Sequence, residues 1–127
     1  LYTTLNELHS RSRKLGIITN GDTHTQNAKI DALGIRSYMD AIVVSQTVEL
    51  EKPDPRIFLL ALRQLNIGPA EACFVGDNPV NDVLGAIAAG LTSVWLKGAL
   101  PWPDGHEEPR FQIESLNELV STLRRLG

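Results

Sequence analysis

Cysteine is almost absent: Cys73 is the single thiol in 127 residues. It cannot close an internal disulfide, and no Cys or His ligand pattern surrounds it. A buried, inert thiol in a reducing compartment, the cytoplasm, is the expectation. Excess basic charge is missing too. Twelve Lys and Arg stand against fifteen Asp and Glu, a formal net charge of −3, which removes the footprint of a nucleic-acid binder. The loose basic set Arg11, Arg13 and Lys14 reads as solvation of a helix end. No apolar run approaches the length of a membrane span, and Leu1 opens no signal peptide. No repeat is visible, and no Asp-x-Asp step occurs anywhere. The chain also opens without a methionine, which reads as a start downstream of its gene's start.

What is present is a sizeable core. Apolar residues make up 43% of the chain, too many for disorder and enough for one compact domain over residues 1–127. Leu1, Leu5 and Leu8 recur at helical spacing and predict a helix ending near Lys14. Leu15 to Thr19 is a compact apolar strand, and Asn20-Gly21-Asp22 a turn. Thr23 is a candidate cap for a helix through Leu33, with Gly34 as its stop. Ala41 to Ser45 reads as a strand and Gln46 to Pro53 as a polar loop. Asp54-Pro55 opens a helix with the stripe Ile57, Phe58, Ala61, Leu62 and Leu65. A strand from Ala72 to Val75 leads into a helix carrying Val83, Leu84 and Ile87, ended by Gly90. Thr92 to Leu96 is a further strand. Lys97 to Arg110, rich in proline and glycine, is a surface loop. Phe111 to Ile113 reads as an edge strand, and Ser115 to Glu118 as a capping box for the last helix. Strands alternating with helices predict an α/β doubly wound parallel sheet.

The polar residues with chemical potential fall at strand ends. Asp77 follows the buried run closed by Gly76, where ligands sit in open parallel sheets. Asn78 can cap the next helix with Pro79 in its first turn, placing Asp82 on the same rim. Two carboxylates there form a hard oxygen site of the kind Mg²⁺ takes. The plainer alternative makes Asp77 a loop residue and Asp82 a complement to the helix dipole. Thr19-Asn20-Gly21 offers a hydroxyl and backbone N–H groups to an anion, though a β-branched strand end explains Thr19 equally. Lys52, held by Pro53-Asp54-Pro55, could neutralise an anion or be a solvated loop lysine. Together they suit phosphate plus Mg²⁺ and do not suit an acyl-transfer triad. His9, His24 and His106 have no nucleophile in useful context. Trp95 and Trp102 read as packing and loop-anchoring residues.

Three segments in order resemble the haloacid dehalogenase-like hydrolase superfamily. Gly16 to Gly21 is similar to its second motif. Glu51-Lys52-Pro53-Asp54-Pro55 with Ile57-Phe58 is similar to its third. Gly76-Asp77 through Asp82, with Gly85, Ala89 and Gly90, is similar to its fourth. The stretches from Asn20 to Lys29 and from Ile113 to Leu119 resemble the phosphatase branch that includes N-acylneuraminate-9-phosphatase and pyrimidine 5′-nucleotidase. The resemblance implies a Mg²⁺-dependent phosphomonoesterase acting through an aspartyl phosphate on a small-molecule ester. Thr19, with the N–H groups of Asn20 and Gly21, would bind a phosphate oxygen. Lys52 would hold nucleophile and phosphate together. Asp77 would ligate Mg²⁺, and Asp82 would bind it or orient its waters.

The family's first motif, a strand followed by Asp-x-Asp, has no counterpart here. Asp22 and Asp40 fall in the wrong places. The resemblance therefore implies an incomplete core that lacks the first, central strand between those ending at Thr19 and Val75, and lacks the cap. Four or five buried apolar side chains at roughly 1.5–3 kcal/mol each would rival a whole domain's stability. These residues alone are then expected to be inactive. An upstream segment, or another copy in a homo-oligomer, would complete the sheet. The alternatives are a haloacid dehalogenase, against which the paired Asp77 and Asp82 weigh, and a non-catalytic core that binds or dimerises.

Overall fold

A computed structural model of the chain describes Leu8 and residues 13–125. The helix expected over 1–14, with Arg11 and His9, lies outside the described residues apart from Leu8 and its end. Leu8 itself is buried. Lys14 Nζ donates to Leu65 O at 2.6 Å, the carbonyl of the last residue in the helix Pro55–Leu65.

Among the described residues five strands and five helices follow, in the expected alternation apart from one added helical turn after the second strand. Strand β1 (Gly16–Thr19) pairs in parallel with β2 (Ala41–Val44), Thr19 beside Val44. Strand β3 (Cys73–Gly76) pairs in parallel with β4 (Thr92–Leu96), and β4 with β5 (Phe111–Ile113). Helix α1 (Thr23–Leu33) ends at Gly34, whose φ of 67° suits a residue without a Cβ. Its cap is Asp22, one residue before the expected Thr23. The Asp22 carboxylate accepts Thr25 N at 2.8 Å, and that backbone bond holds its pKa below the ordinary carboxylate value.

Ser45 leaves the strand to begin a single helical turn, α2 (Ser45–Val48), where a polar loop was expected. Helix α3 (Pro55–Leu65) opens as expected, with Asp54 accepting Arg56 N at 2.9 Å. After β3 the chain winds wider than an α-helix over Pro79–Leu84 and tightens into α4 (Gly85–Ala88). The capping box at Ser115 and Glu118 introduces a tight turn and α5 (Leu119–Arg125).

Helices cover both faces of the sheet. Ile57, Phe58, Ala61 and Leu62 of α3 pack with Val43, Ala86 and Leu91 on one side. Ile30 and Ile35 lie on the other side against Ile17 and Ile42, and Leu119 packs there with Val94 and Ile113. Burial of alternate faces is what the doubly wound pattern requires.

The sheet is divided. Among the described residues β1 pairs only with β2, and β3 only with β4, giving two-stranded and three-stranded halves. The break falls between β1 and β3, where the resemblance placed a further strand. Helix α3 spans it, with Ile18 and Val43 on one side and Phe74 on the other. Phe58 meets Phe74 edge to face, their centroids 5.0 Å apart.

Candidate functional site

Parallel strands deliver Thr19 of β1 and Gly76 of β3 to the same end of the molecule, and the polar residues gather just beyond them. At the end of β3, Asn78 Oδ1 accepts Val80 N at 3.1 Å and Asn81 N at 2.9 Å, which opens the wide turn. That turn folds Asp82 back over Gly76. A Cβ on Gly76 would overlap the Asp82 side chain, so only glycine permits this approach. Asp82 Oδ2 then accepts Asn78 N at 3.0 Å.

The other oxygen of Asp82 meets Lys52. Their Nζ–Oδ1 distance is 2.6 Å, and the side chains are 11% and 8% exposed. The ammonium also stands 5.5 Å from the centre of the Phe74 ring, within range of a cation–π attraction. The Lys52 backbone is clamped in turn by Asn20. Lys52 N donates to Asn20 Oδ1 at 2.9 Å, and Asn20 Nδ2 donates to Lys52 O at 3.0 Å. A continuous line of bonds thus runs from the end of β1, through Lys52, to the end of β3.

The Thr19-Asn20-Gly21 turn is more occupied than its sequence suggests. Thr19 Oγ1 donates to Gln26 Oε1 at 2.8 Å. Gly21 N donates to Ser45 Oγ at 2.9 Å, and that hydroxyl lies 3.2 Å from Gly21 O. Asn20 uses its side chain as a clamp, a role distinct from the backbone anion contact expected for it. Gln26 and Ser45 escaped the sequence reading. The one signal for Gln26 was its place in the second turn of a helix opening on this loop. Ser45 had none, because it becomes a neighbour only through the pairing of β1 with β2.

Asp77 is exposed at the tip of β3. Among the described residues no group of three or more His, Cys, Asp and Glu gathers to hold a metal. Mg²⁺ needs fewer: it keeps several waters and takes one or two carboxylates along with substrate oxygens. An exposed Asp77 and a fixed Asp82, both beyond the end of β3, fit that donor set in number and hardness.

The remaining candidates stay apart. His24 and His106 are exposed. Asp22 is the cap of α1, and Asp40 Oδ2 accepts Leu15 N at 2.9 Å. Trp95 and Trp102 pack with centroids 5.0 Å apart, and Trp102 Nε1 donates to His106 O at 2.8 Å, anchoring the loop. Burial pushes the Cys73 thiol up to about 11, so it is protonated near neutrality.

Known proteins resemble this chain in sequence and in fold. The family model described as haloacid dehalogenase-like hydrolase matches residues 1–96. Phosphoserine phosphatase of Thermus thermophilus is 36% identical over 115 residues, 91% of this chain and 46% of that protein. Human N-acylneuraminate-9-phosphatase is 36% identical over 125 residues, 96% of this chain and 50% of that protein. The crystal structure of 2-haloacid dehalogenase from Pseudomonas syringae pv. tomato superimposes with a TM-score of 0.85 at 32% identity, covering 100% of this chain and 53% of its own. The chain spans about half the length of the curated relatives it matches. Matched over three of its strand-end segments, the chain belongs to the haloacid dehalogenase-like hydrolase family.

Proposed function

We propose that this chain is the larger part of the core of a Mg²⁺-dependent phosphomonoesterase that acts on a small phosphorylated metabolite in the cytoplasm. The observation that carries the reading is the bonded line Asn20–Lys52–Asp82, which fixes one buried cation between an anion-binding turn and a carboxylate pair. The phosphatase relatives support it, since both curated proteins named above act on phosphate esters by their names.

In this reading Thr19 donates its hydroxyl to a phosphate oxygen, and Lys52 neutralises charge that grows as the ester bond breaks. The ammonium keeps Asp82 in place and has two further protons to donate. Asp77 and Asp82 would hold Mg²⁺, which would relieve repulsion between an anionic nucleophile and an anionic phosphate. The nucleophile is a carboxylate of an Asp-x-Asp step outside these 127 residues, on a strand seated between β1 and β3. It attacks phosphorus as the ester P–O bond breaks, the second aspartate of that step protonates the leaving oxygen so that it departs as the alcohol, and water then cleaves the aspartyl phosphate.

The test is hydrolysis of p-nitrophenyl phosphate by the intact protein with and without EDTA. Activity should vanish with EDTA and return with Mg²⁺. The dehalogenase neighbour favours a second reading. Halide release from a 2-haloacid that persists in EDTA would establish that reading instead. A monomer of these 127 residues that hydrolyses phosphate esters unaided would overturn the placement of the nucleophile.

A further inference from the structure

Gln26 sits on the second turn of α1 with its backbone N–H donating to Asp22 O at 3.0 Å. Its side chain turns back over the loop that α1 follows. A Cβ built on Gly21 would lie 2.5 Å from Gln26 Nε2 and 2.8 Å from Cδ. Gly21, with φ of 149°, therefore leaves the space that the carboxamide fills. The acceptor end of that carboxamide accepts a hydrogen bond from the Thr19 hydroxyl at 2.8 Å.

This bond conflicts with phosphate binding. A hydroxyl has one proton to donate, and a phosphate oxygen only accepts. While Thr19 donates to Gln26 Oε1, it has no proton for an anion. The carboxamide has a second face. Its final torsion is broad and roughly two-fold, and its oxygen and nitrogen are nearly the same size. Half a turn presents Nε2 to the lone pairs of Thr19 Oγ1 and frees the hydroxyl proton. No backbone shift is needed, because the same atoms occupy the same space over Gly21.

We propose that Gln26 is the positioning residue that aims the Thr19 hydroxyl, its carboxamide turning end for end when a phosphate group enters. With the anion absent, Thr19 donates its hydrogen bond to Oε1. With the anion present, Nε2 donates to Thr19 Oγ1 and Thr19 donates to the phosphate. Gln26 touches no phosphate oxygen in either state and acts only through Thr19. The inference rests on the phosphate-site reading above.

The experiment is calorimetric titration of inorganic phosphate, with Mg²⁺ present, into the intact protein and four variants. Thr19→Val should weaken phosphate binding about tenfold, the order expected for one hydrogen bond to a charged group. Gln26→Met keeps length and loses both polar ends, and should weaken it about threefold to tenfold on the same scale. The double variant should bind no more weakly than Thr19→Val alone, because a residue acting through a hydroxyl has no effect once that hydroxyl is gone. Gln26→Glu keeps the accepting oxygens and loses the donor, so it should weaken binding more than Gln26→Met. Additive losses in the double variant would overturn the proposal and leave Gln26 a packing residue. So would unchanged binding in both Gln26 variants, with the phosphate site itself standing. Wild-type protein that binds no phosphate, or a Thr19→Val variant that binds as wild type, would overturn the phosphate-site reading and this inference with it.

Discussion

Lys52 Nζ and Asp82 Oδ1 lie 2.6 Å apart, and this one pair joins the loop before α3 to the turn after β3. Both side chains are largely withdrawn from solvent. A buried ion pair is weak evidence for stability, because desolvation offsets much of the attraction. Its value here lies in direction. Asp82 is pinned through both oxygens, and Lys52 through both backbone polar groups.

Lys52→Ala should abolish turnover in the intact protein and also destabilise it. Removing one partner leaves the other charge buried, a loss of about 3–5 kcal/mol. Lys29→Ala, an exposed change on α1, should alter neither. Steady-state kinetics beside urea denaturation separates the two effects, and similar behaviour of the two lysine variants would remove Lys52 from the site.

Asp77→Asn should leave the fold unchanged and weaken Mg²⁺ binding. The side chain is exposed, so little packing is disturbed, while a hard anionic ligand becomes a neutral one. Calorimetric Mg²⁺ titration reads the affinity and circular dichroism the fold. Equal Mg²⁺ affinity in variant and wild type would show that Asp77 is no ligand.

Asn20→Ala removes both bonds that clamp the Lys52 backbone. The expected result is a fall in kcat with a smaller change in KM, since Lys52 remains present and misdirected. Stability should drop by about 1–3 kcal/mol, the range for orphaned polar groups. Asn20→Asp should be worse than Asn20→Ala, because a carboxylate oxygen would then face Lys52 O.

Gly76→Ala places a methyl group where Asp82 lies. Something must shift, and overpacking of this kind typically costs about 1–3 kcal/mol. The Lys52–Asp82 pair should open as the turn moves outward. Denaturation measures the stability loss, and Mg²⁺ titration should show weakened binding although Asp77 is untouched.

Cys73 supplies a pH dependence with a definite sign. Burial raises its thiol from 9.0 to about 11. Below about 9 both folded and unfolded chains hold the proton, and the full contribution is present. As pH rises toward 11 the unfolded thiol ionises first, so stability falls across that window. The drop should be smaller in Cys73→Ser. Thiolate absorbance near 240 nm should appear in the folded protein only close to pH 11.

Most of the secondary structure was legible in the residue order. Apolar runs closed by Gly, and caps such as Asp54 and Asn78, act within a few residues, so they leave local marks. The cap of α1 moved to Asp22, and Ser45 left its strand for a helical turn, because neighbouring residues could serve either role. The strand ends carrying Thr19 and Asp77, and the proline-flanked loop carrying Lys52, were legible for the same local reason. Their connections were not. Asn20 meets Lys52 across 32 residues, and Lys52 meets Asp82 across 30. Bonds over such separations impose no spacing on the sequence, and an asparagine that clamps a backbone is spelled the same as one that presents an N–H. The carboxamide of Gln26 over Gly21 and the closeness of Ser45 arose only when helices and strands packed, because each depends on which surfaces meet.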